Sequence, residues 1–245
     1  MTRQLKLSLA LAGAFAVLVV ALLTAAALRG GDSTNGNVTG DGNVTSAGES
    51  RLVRSESHIL GAPAGSTANS AREAASQVDA VEAAGDSVTF VEFLDFECEA
   101  CRAAYPFVEE LRAEYEGRVT FVARFFPLPG HFNAERAARA VEAAAQQGAF
   151  EAMYQRMYET QEEWGEQQVP LDDLFRSFAE DLDLDMAAWD KAYAAQATTE
   201  RVAKDVEDGI ALGVQGTPTF FVDGQRLEPR TYGDFTDALD AALGD

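Results

Sequence analysis

The sequence is poor in cysteine, histidine and basic residues. It holds two cysteines, two histidines and 19 lysines and arginines among 245 residues. Two cysteines cannot form the set of disulfides that stabilises many small secreted domains. His58 and His131 lie far apart and fit no zinc-finger spacing, so two ligands of a structural zinc site are missing. We therefore expect neither a disulfide framework nor a bound metal.

The shortage of basic residues leaves the chain strongly acidic. Forty Asp and Glu residues give it a formal net charge of −21. Such a surface repels nucleic-acid phosphates and anionic lipid head groups, which argues against nucleic-acid binding and peripheral membrane binding. A solvated acidic surface, suited to solubility or to high salt, is sufficient to explain the charge.

One long apolar segment lies near the N-terminus. Residues 7–28 contain no charged side chain, and a helix of 22 residues is long enough to cross a hydrocarbon core of about 30 Å. A cleaved signal peptide is the alternative, because residues 25–27 are small enough for a cleavage site. Arg3 and Lys6 precede the segment, so the positive-inside rule places the rest of the chain outside the cytoplasm. We predict that residues 1–30 form a single-pass cell-membrane anchor.

The rest of the chain divides into a linker and one domain. Residues 31–50 are rich in Gly, Ser, Thr and Asn, a composition that predicts a disordered linker. Residues 51–245 are numerous and apolar enough to bury one core. The sequence therefore predicts a folded domain held outside the membrane by a tether.

The apolar patterns of residues 51–245 predict an α/β domain. Strands are expected in residues 51–61, 88–96, 118–126 and 217–227, the last being a hairpin with its turn at Asp223-Gly224. Helix-forming residues from 98 to 115 join the second and third of these strands, which should therefore pair in parallel. Residues from about 131 to 212 show only helical patterns.

The two cysteines form a CxxC motif within FLDFECEAC, residues 93–101. Cys98 would begin a helix, whose N-terminal partial charge stabilises a thiolate, and Cys101 would follow one turn later. This spacing suits dithiol exchange. A structural disulfide, half of a metal site and a buried reduced pair are the alternatives, although a disulfide that closes a four-residue loop removes little chain entropy.

These motifs resemble the DsbA-like branch of the thioredoxin superfamily, which comprises exported thiol-disulfide oxidoreductases. The resemblance is carried in order by FLDFECEAC, Pro106 in the next helix, the helical block and GTPTFFVDG. It implies a thioredoxin-like fold with a helical insertion at about 131–212 that covers the active-site face. It also implies a cis peptide at Thr217-Pro218, which lies beside the cysteines and presents backbone to an extended substrate.

The resemblance also implies roles for the cysteines. Cys98, exposed at the helix start, would be the nucleophile, and the more buried Cys101 would resolve the mixed disulfide. No bound cofactor is needed. We predict an enzyme that oxidises thiols of unfolded or partly folded exported proteins and is reoxidised by a quinone-linked membrane protein. A disulfide reductase or isomerase of the same fold and a non-catalytic binding module are the alternatives.

A charged residue, Glu92, interrupts the strand that precedes the cysteines. Members of the superfamily commonly carry a buried acid at this place, so the resemblance suggests that Glu92 exchanges a proton with Cys101. A carboxylate is costly to bury unless it is paired or used, and an ion pair with an arginine is the alternative. Asp95 is expected nearer the exposed end of the strand.

The residues between and beside the cysteines depart from the family pattern. Glu99-Ala100 replaces the Pro-His or Pro-Tyr pair common in this branch, and Glu97 and Glu99 flank Cys98. Nearby negative charges disfavour a thiolate. We therefore predict a Cys98 pKa above the roughly 3.5 of DsbA, and a reduction potential more negative than its roughly −120 mV.

Overall fold

The structure, a computed structural model, describes residues 51–60 and 88–245. The predicted anchor and linker lie outside the described residues and stay predictions. Within the described part of the chain, no helix is long and apolar enough to cross a membrane.

The described residues form one five-stranded sheet with helices around it. The strands are β1 (His58–Leu60), β2 (Val88–Leu94), β3 (Val119–Phe125), β4 (Thr219–Val222) and β5 (Gln225–Leu227). The helices are α1 (Glu99–Glu114), α2 (Ala134–Ala145), α3 (Phe150–Trp164), α4 (Asp172–Asp181), α5 (Met186–Tyr193), α6 (Gln196–Ala211) and α7 (Tyr232–Leu243). Five of these helices, α2 to α6, separate β3 from β4, which confirms the predicted helical insertion.

The sheet has the strand order β1-β3-β2-β4-β5. β2 and β3 pair in parallel along their whole length, and α1 joins them as the predicted crossover. β1, β4 and β5 pair antiparallel with their neighbours. Because β2 and β3 are central, six of the seven residues in each are buried, as their continuous apolar patterns indicate.

Two strands are shorter than the sequence indicates. The strand expected at residues 51–61 is limited to β1, because Arg51 and Leu52 adopt a helical turn. β2 ends at Leu94, two residues earlier than expected. It ends there because the Asp95 side chain accepts a hydrogen bond from the Glu97 N–H at 2.8 Å and closes a turn. The hairpin between β4 and β5 is as predicted, and Asp223 and Gly224 both have positive φ, at 45° and 78°.

A buried arginine in β3 ties the insertion to the sheet. The Arg124 guanidinium is fully buried and donates to Asp205 at 2.7 Å and to Asp208 at 2.9 Å, both in α6. It also donates to the carbonyl oxygens of Arg51 and Leu52. Since every partner of this buried cation is an acceptor, the network fixes α6 and the segment before β1 against one face of the sheet.

Candidate active site

The two cysteines lie at the start of α1, just after β2. Cys98 is the N-cap residue with extended backbone (φ −72°, ψ 120°), and Cys101 lies in the first turn. Both are free thiols, and Cys101 is fully buried as predicted. The expectation that Cys98 is exposed is wrong, because only 7% of its surface is accessible. Its Sγ lies 3.3 Å from the carbonyl oxygen of Thr217, in the loop that lies over it.

The two thiols ionise very differently. A hydrogen bond from the Cys101 thiol, helped by the N–H groups of Ala100 and Cys101, lowers the pKa of Cys98 to about 6, although burial opposes the shift. Burial raises the pKa of Cys101 well above its ordinary value, and the charges of Glu92 and Cys98 act in the same direction. At neutral pH the reduced site therefore holds a thiolate at Cys98 and a thiol at Cys101.

The Thr217-Pro218 peptide is cis, as the resemblance implies. It immediately precedes β4, which pairs with β2, so the sheet itself brings this loop beside the cysteines. A groove of about 390 Å³ begins at Pro218 and is lined further along by Arg226 and Arg230. The groove therefore lies along the cis-proline loop and the β4–β5 hairpin.

The turn before Cys98 is held by the loop that follows β3. The Asp95 carboxylate accepts from Leu128 N–H at 2.9 Å and bonds the His131 Nδ1 at 2.6 Å. The Glu97 carboxylate accepts from Asn133 N–H at 2.6 Å. Asp95 is 2% exposed and Glu97 is 1% exposed. The expectation that Asp95 lies nearer an exposed end is therefore wrong, because its carboxylate closes the turn beneath the loop.

Glu97 and Glu99 both flank Cys98 in the sequence, but their side chains lie in different surroundings. The Glu97 side chain is directed to the main chain of Asn133, whereas Glu99 is exposed at the first position of α1. The Cys98 pKa of about 6 is above the roughly 3.5 of DsbA, in the predicted direction. Burial is the main influence that keeps it from falling further.

Gln161 in α3 holds the main chain of the cysteine turn. Its buried amide donates to the carbonyl oxygens of Phe96 at 2.6 Å and Cys98 at 3.0 Å. The insertion therefore positions the site as well as covering it. Gln161 was not among the predicted site residues, since only the fold brings it to residues more than sixty positions away.

Glu92 is buried in the sheet on the side of the cysteines. It is 3% exposed, and its Oε2 has no hydrogen-bond partner. Burial, with smaller contributions from the charges of Cys98 and Glu109, raises its pKa to about 8. Among the described residues no lysine or arginine forms an ion pair with Glu92, so the structure does not support the alternative that it is a simple ion-pair residue.

Two tyrosines of α3 share the buried region around Glu92. The hydroxyl groups of Tyr154 and Tyr158 are buried and have no hydrogen-bond partner. Burial raises both tyrosine pKa values, and the charge of Glu92 adds to the shift of each. In the part of the chain that the structure describes, no group of three or more His, Cys, Asp or Glu side chains could hold a metal ion.

Comparison with known proteins identifies the family. A family model described as thioredoxin matches residues 82–241. A thioredoxin-like oxidoreductase from Silicibacter pomeroyi is 25% identical, with a TM-score of 0.58 over 80% of this chain and 98% of that one. The α-DsbA1 of Wolbachia pipientis is 17% identical, with a TM-score of 0.62 over 81% of this chain and 96% of that one.

Curated relatives share only part of their length with this chain. The Na⁺/H⁺ antiporter NhaA 3 of Salinispora tropica is 43% identical over 140 residues, which are 57% of this chain and 20% of that protein. The chain thus spans about a fifth of the length of this relative. The antiporter name describes that whole protein, of which the similar stretch is a minor part.

Proposed function

Because the chain belongs to the thioredoxin family and has the DsbA-like fold, we propose that it is an extracytoplasmic thiol-disulfide oxidoreductase that introduces disulfides into exported proteins. The single observation that carries the proposal is the opposite perturbation of the two thiols. The Cys98 pKa falls to about 6, while that of Cys101 rises well above its ordinary value. A resting structural disulfide or a binding module has no use for this asymmetry.

The first chemical step opens the Cys98–Cys101 disulfide. A substrate thiolate attacks the Cys98 Sγ, a mixed disulfide forms, and Cys101 leaves with the electron pair of the broken bond. The departing Cys101 needs a proton because its thiol is the stable form in this buried place. Glu92, with a pKa of about 8, carries a proton at neutral pH and can supply it.

The second step releases the product. A second thiolate of the substrate attacks the substrate sulfur of the mixed disulfide, and Cys98 leaves. Since the pKa of Cys98 is about 6, it leaves as a stable thiolate and needs no proton at neutral pH. The substrate has then lost two electrons to the CxxC pair, so reoxidation must follow before another turnover.

Substrate binding is assigned to the loop with the cis peptide. The Thr217 carbonyl oxygen lies beside the Cys98 Sγ, and the groove that begins at Pro218 continues toward Arg230. Main-chain groups beside the cis-proline suit an extended segment, and such segments occur in unfolded or partly folded proteins. Exported proteins with unpaired cysteines are therefore the proposed substrates.

Location and partner complete the proposal. The apolar residues 7–28, with Arg3 and Lys6 before them, support a single-pass anchor with the domain outside the cytoplasm. A quinone-linked membrane protein is the proposed reoxidant, because an oxidase needs an electron acceptor and the resemblance to the DsbA-like branch suggests one of this kind.

Insulin reduction and the oxidation of a reduced protein substrate test the proposal. Wild type should catalyse both reactions, Cys98→Ser should catalyse neither, and Cys101→Ser should accumulate a mixed disulfide with the substrate. If wild type and Cys98→Ser show the same rates, the domain is a binding module.

The direction of exchange is decided by the reduction potential. A value well above the glutathione potential of the compartment supports an oxidase, because the substrate disulfide is then the more stable product. A value near that of thioredoxin, roughly −270 mV, favours the reductase or isomerase alternative.

A further inference from the structure

His131 lies in the loop after β3, which hydrogen bonds from Leu128, His131 and Asn133 hold against the segment between β2 and Cys98. Its ring Nδ1 is hydrogen-bonded to the Asp95 carboxylate at 2.6 Å, and its main-chain N–H donates to the Leu128 carbonyl oxygen at 3.0 Å. The same Asp95 carboxylate accepts from Leu128 N–H, while the main-chain oxygen of Asp95 accepts from Cys98 N–H at 3.1 Å. Asp95 therefore contacts both the histidine and the nucleophilic cysteine.

The charges around His131 come from three elements. Asp95, Glu97 and Cys98 act on it from the turn before α1. His131 also borders a groove of about 550 Å³, which is lined by Glu135 and Arg136 of α2 and by Glu207 of α6. Arg136 is bonded to Asp172 and to the carbonyl oxygen of Phe132.

Most of these neighbours favour a protonated imidazole. Burial works against it, yet the hydrogen bond and charge of Asp95, with the charges of Cys98 and Glu97, raise the pKa of His131 overall. The side chain is 23% exposed, so it can exchange protons with solvent. Of the contributing charges, that of Cys98 is the one that disappears when the disulfide forms.

We propose that His131 is a redox-linked proton acceptor, which gains a proton when Cys98 becomes a thiolate and loses it when the disulfide closes. In this role His131 acts on Cys98 through its charge, and Asp95 holds it beside the turn that precedes Cys98. The inference rests on the proposed function only in treating Cys98 as the exchanging thiolate.

The proton count of the exchange balances with this assignment. A substrate dithiol that is oxidised to a disulfide gives up two electrons and two protons. The electrons break the Cys98–Cys101 bond, and one substrate proton replaces the proton that Glu92 gives to the Cys101 thiol. The second proton is taken up in part by His131 and otherwise by solvent, because Cys98 stays a thiolate. When the CxxC pair is reoxidised, its acceptor takes both electrons and both protons leave the site.

The decisive experiment is an NMR titration of the two histidines of the full-length protein. Imidazole signals are followed against pH in three samples, namely the reduced protein, the disulfide form and reduced Cys98→Ser. In a water-like dielectric, a charge several ångströms away shifts a midpoint by a few tenths of a pH unit. The His131 midpoint should be higher by about this amount or more in the reduced protein than in the other two.

His58 is the internal control of this titration. It lies in β1, which β3 separates from β2, the strand that leads to the cysteines. It is hydrogen-bonded to Glu142 at 2.7 Å and stacked on Phe150. Its midpoint should be the same in all three samples. The proposal is overturned if His131 has one midpoint throughout, or if His58 moves as far as His131.

Variants test the reverse direction of the same coupling. By linkage, the Cys98 thiolate and protonated His131 stabilise each other equally. His131→Asn should therefore raise the pH midpoint of Cys98 alkylation by as much as the thiolate raises the titration midpoint of His131. His131→Lys keeps a positive charge and should return the alkylation midpoint part of the way to the wild-type value. His58→Asn should leave the alkylation profile unchanged. An unchanged alkylation profile in folded His131→Asn refutes the proposal. If His131→Asn does not fold, the histidine titration of reduced wild type against reduced Cys98→Ser decides the question.

Failure of this inference can be told from failure of the proposed function. The comparison of reduced wild type with Cys98→Ser needs no turnover and no substrate. A protein that exchanges disulfides with insulin while His131 titrates identically in all samples keeps its function and loses this inference.

Discussion

The buried carboxyl of Glu92 should make the stability of the protein fall as pH rises. Its pKa is about 8 in the folded protein against 4.5 ordinarily, with burial as the main cause. Between these two values the unfolded chain has lost the proton that the folded protein still holds. The free energy of unfolding should therefore fall by roughly 1.4 kcal/mol per pH unit in this window. By pH 7 the accumulated cost is about 3 kcal/mol.

Replacing Glu92 by glutamine removes this cost, because the amide has nearly the same shape and no charge. Glu92→Gln should match wild type near pH 4, apart from a constant packing difference, and should be more stable by about 3 kcal/mol at pH 7. Urea unfolding of both proteins from pH 4 to 8 measures the difference directly. Glu99→Gln is the matched control, since Glu99 is exposed, and its difference from wild type should not grow with pH.

The redox state separates the causes of the shift. In the disulfide form the charge of Cys98 is absent, but burial remains, so most of the pH-dependent gain of Glu92→Gln should persist. A difference between the two proteins that stays constant from pH 4 to 8 would refute the reasoning. It would mean that Glu92 ionises as freely as in the unfolded chain and holds no proton to give to Cys101.

Three further predictions concern the cysteines, the insertion and the N-terminus. The rate at which iodoacetamide alkylates reduced Cys98 should rise with pH through a midpoint near pH 6 and then level off, while Cys101 stays unreactive in the folded protein. Mass spectrometry at each pH measures both. Gln161→Leu should lower the free energy of unfolding by about 1–3 kcal/mol, because two buried carbonyl oxygens lose a hydrogen-bond donor, and it should also slow insulin reduction. Gln167→Leu, at an exposed site, should change neither quantity. The full-length chain should stay in the membrane fraction after an alkaline wash; a soluble product beginning near residue 28 would show instead a cleaved signal.

The features that the sequence predicts well are those encoded by local patterns. Continuous apolar runs mark β2 and β3 because both strands are buried on both faces. The CxxC pair at the start of α1 and the Asp223-Gly224 turn are also local, since each depends on a few consecutive residues. The cis peptide at Thr217-Pro218 followed from the family resemblance rather than from any physical property of the two residues.

The contacts that shape the site are not local and could not be predicted in this way. Asp95 meets His131, and Gln161 meets Cys98, only because α3 and the segments that follow β2 and β3 converge at the C-terminal ends of these central strands. The burial of Cys98 has the same origin, since Thr217 comes from a distant part of the chain. A buried glutamine or histidine gives no periodic signal, and its partners are known only once the topology is known.

The register of the two central strands explains why Glu92 has no cationic partner. Glu92 lies opposite Ala123, and Phe93 lies opposite Arg124. Successive residues of a strand point to opposite faces, so Glu92 faces the cysteines, whereas Arg124 faces α6 and its two aspartates. The arginine closest in register is thus committed to a structural network on the other face. The sheet keeps the Glu92 carboxyl apart from the Arg124 guanidinium, and Glu92 stays protonated at neutral pH, as the proposed proton transfer to Cys101 requires.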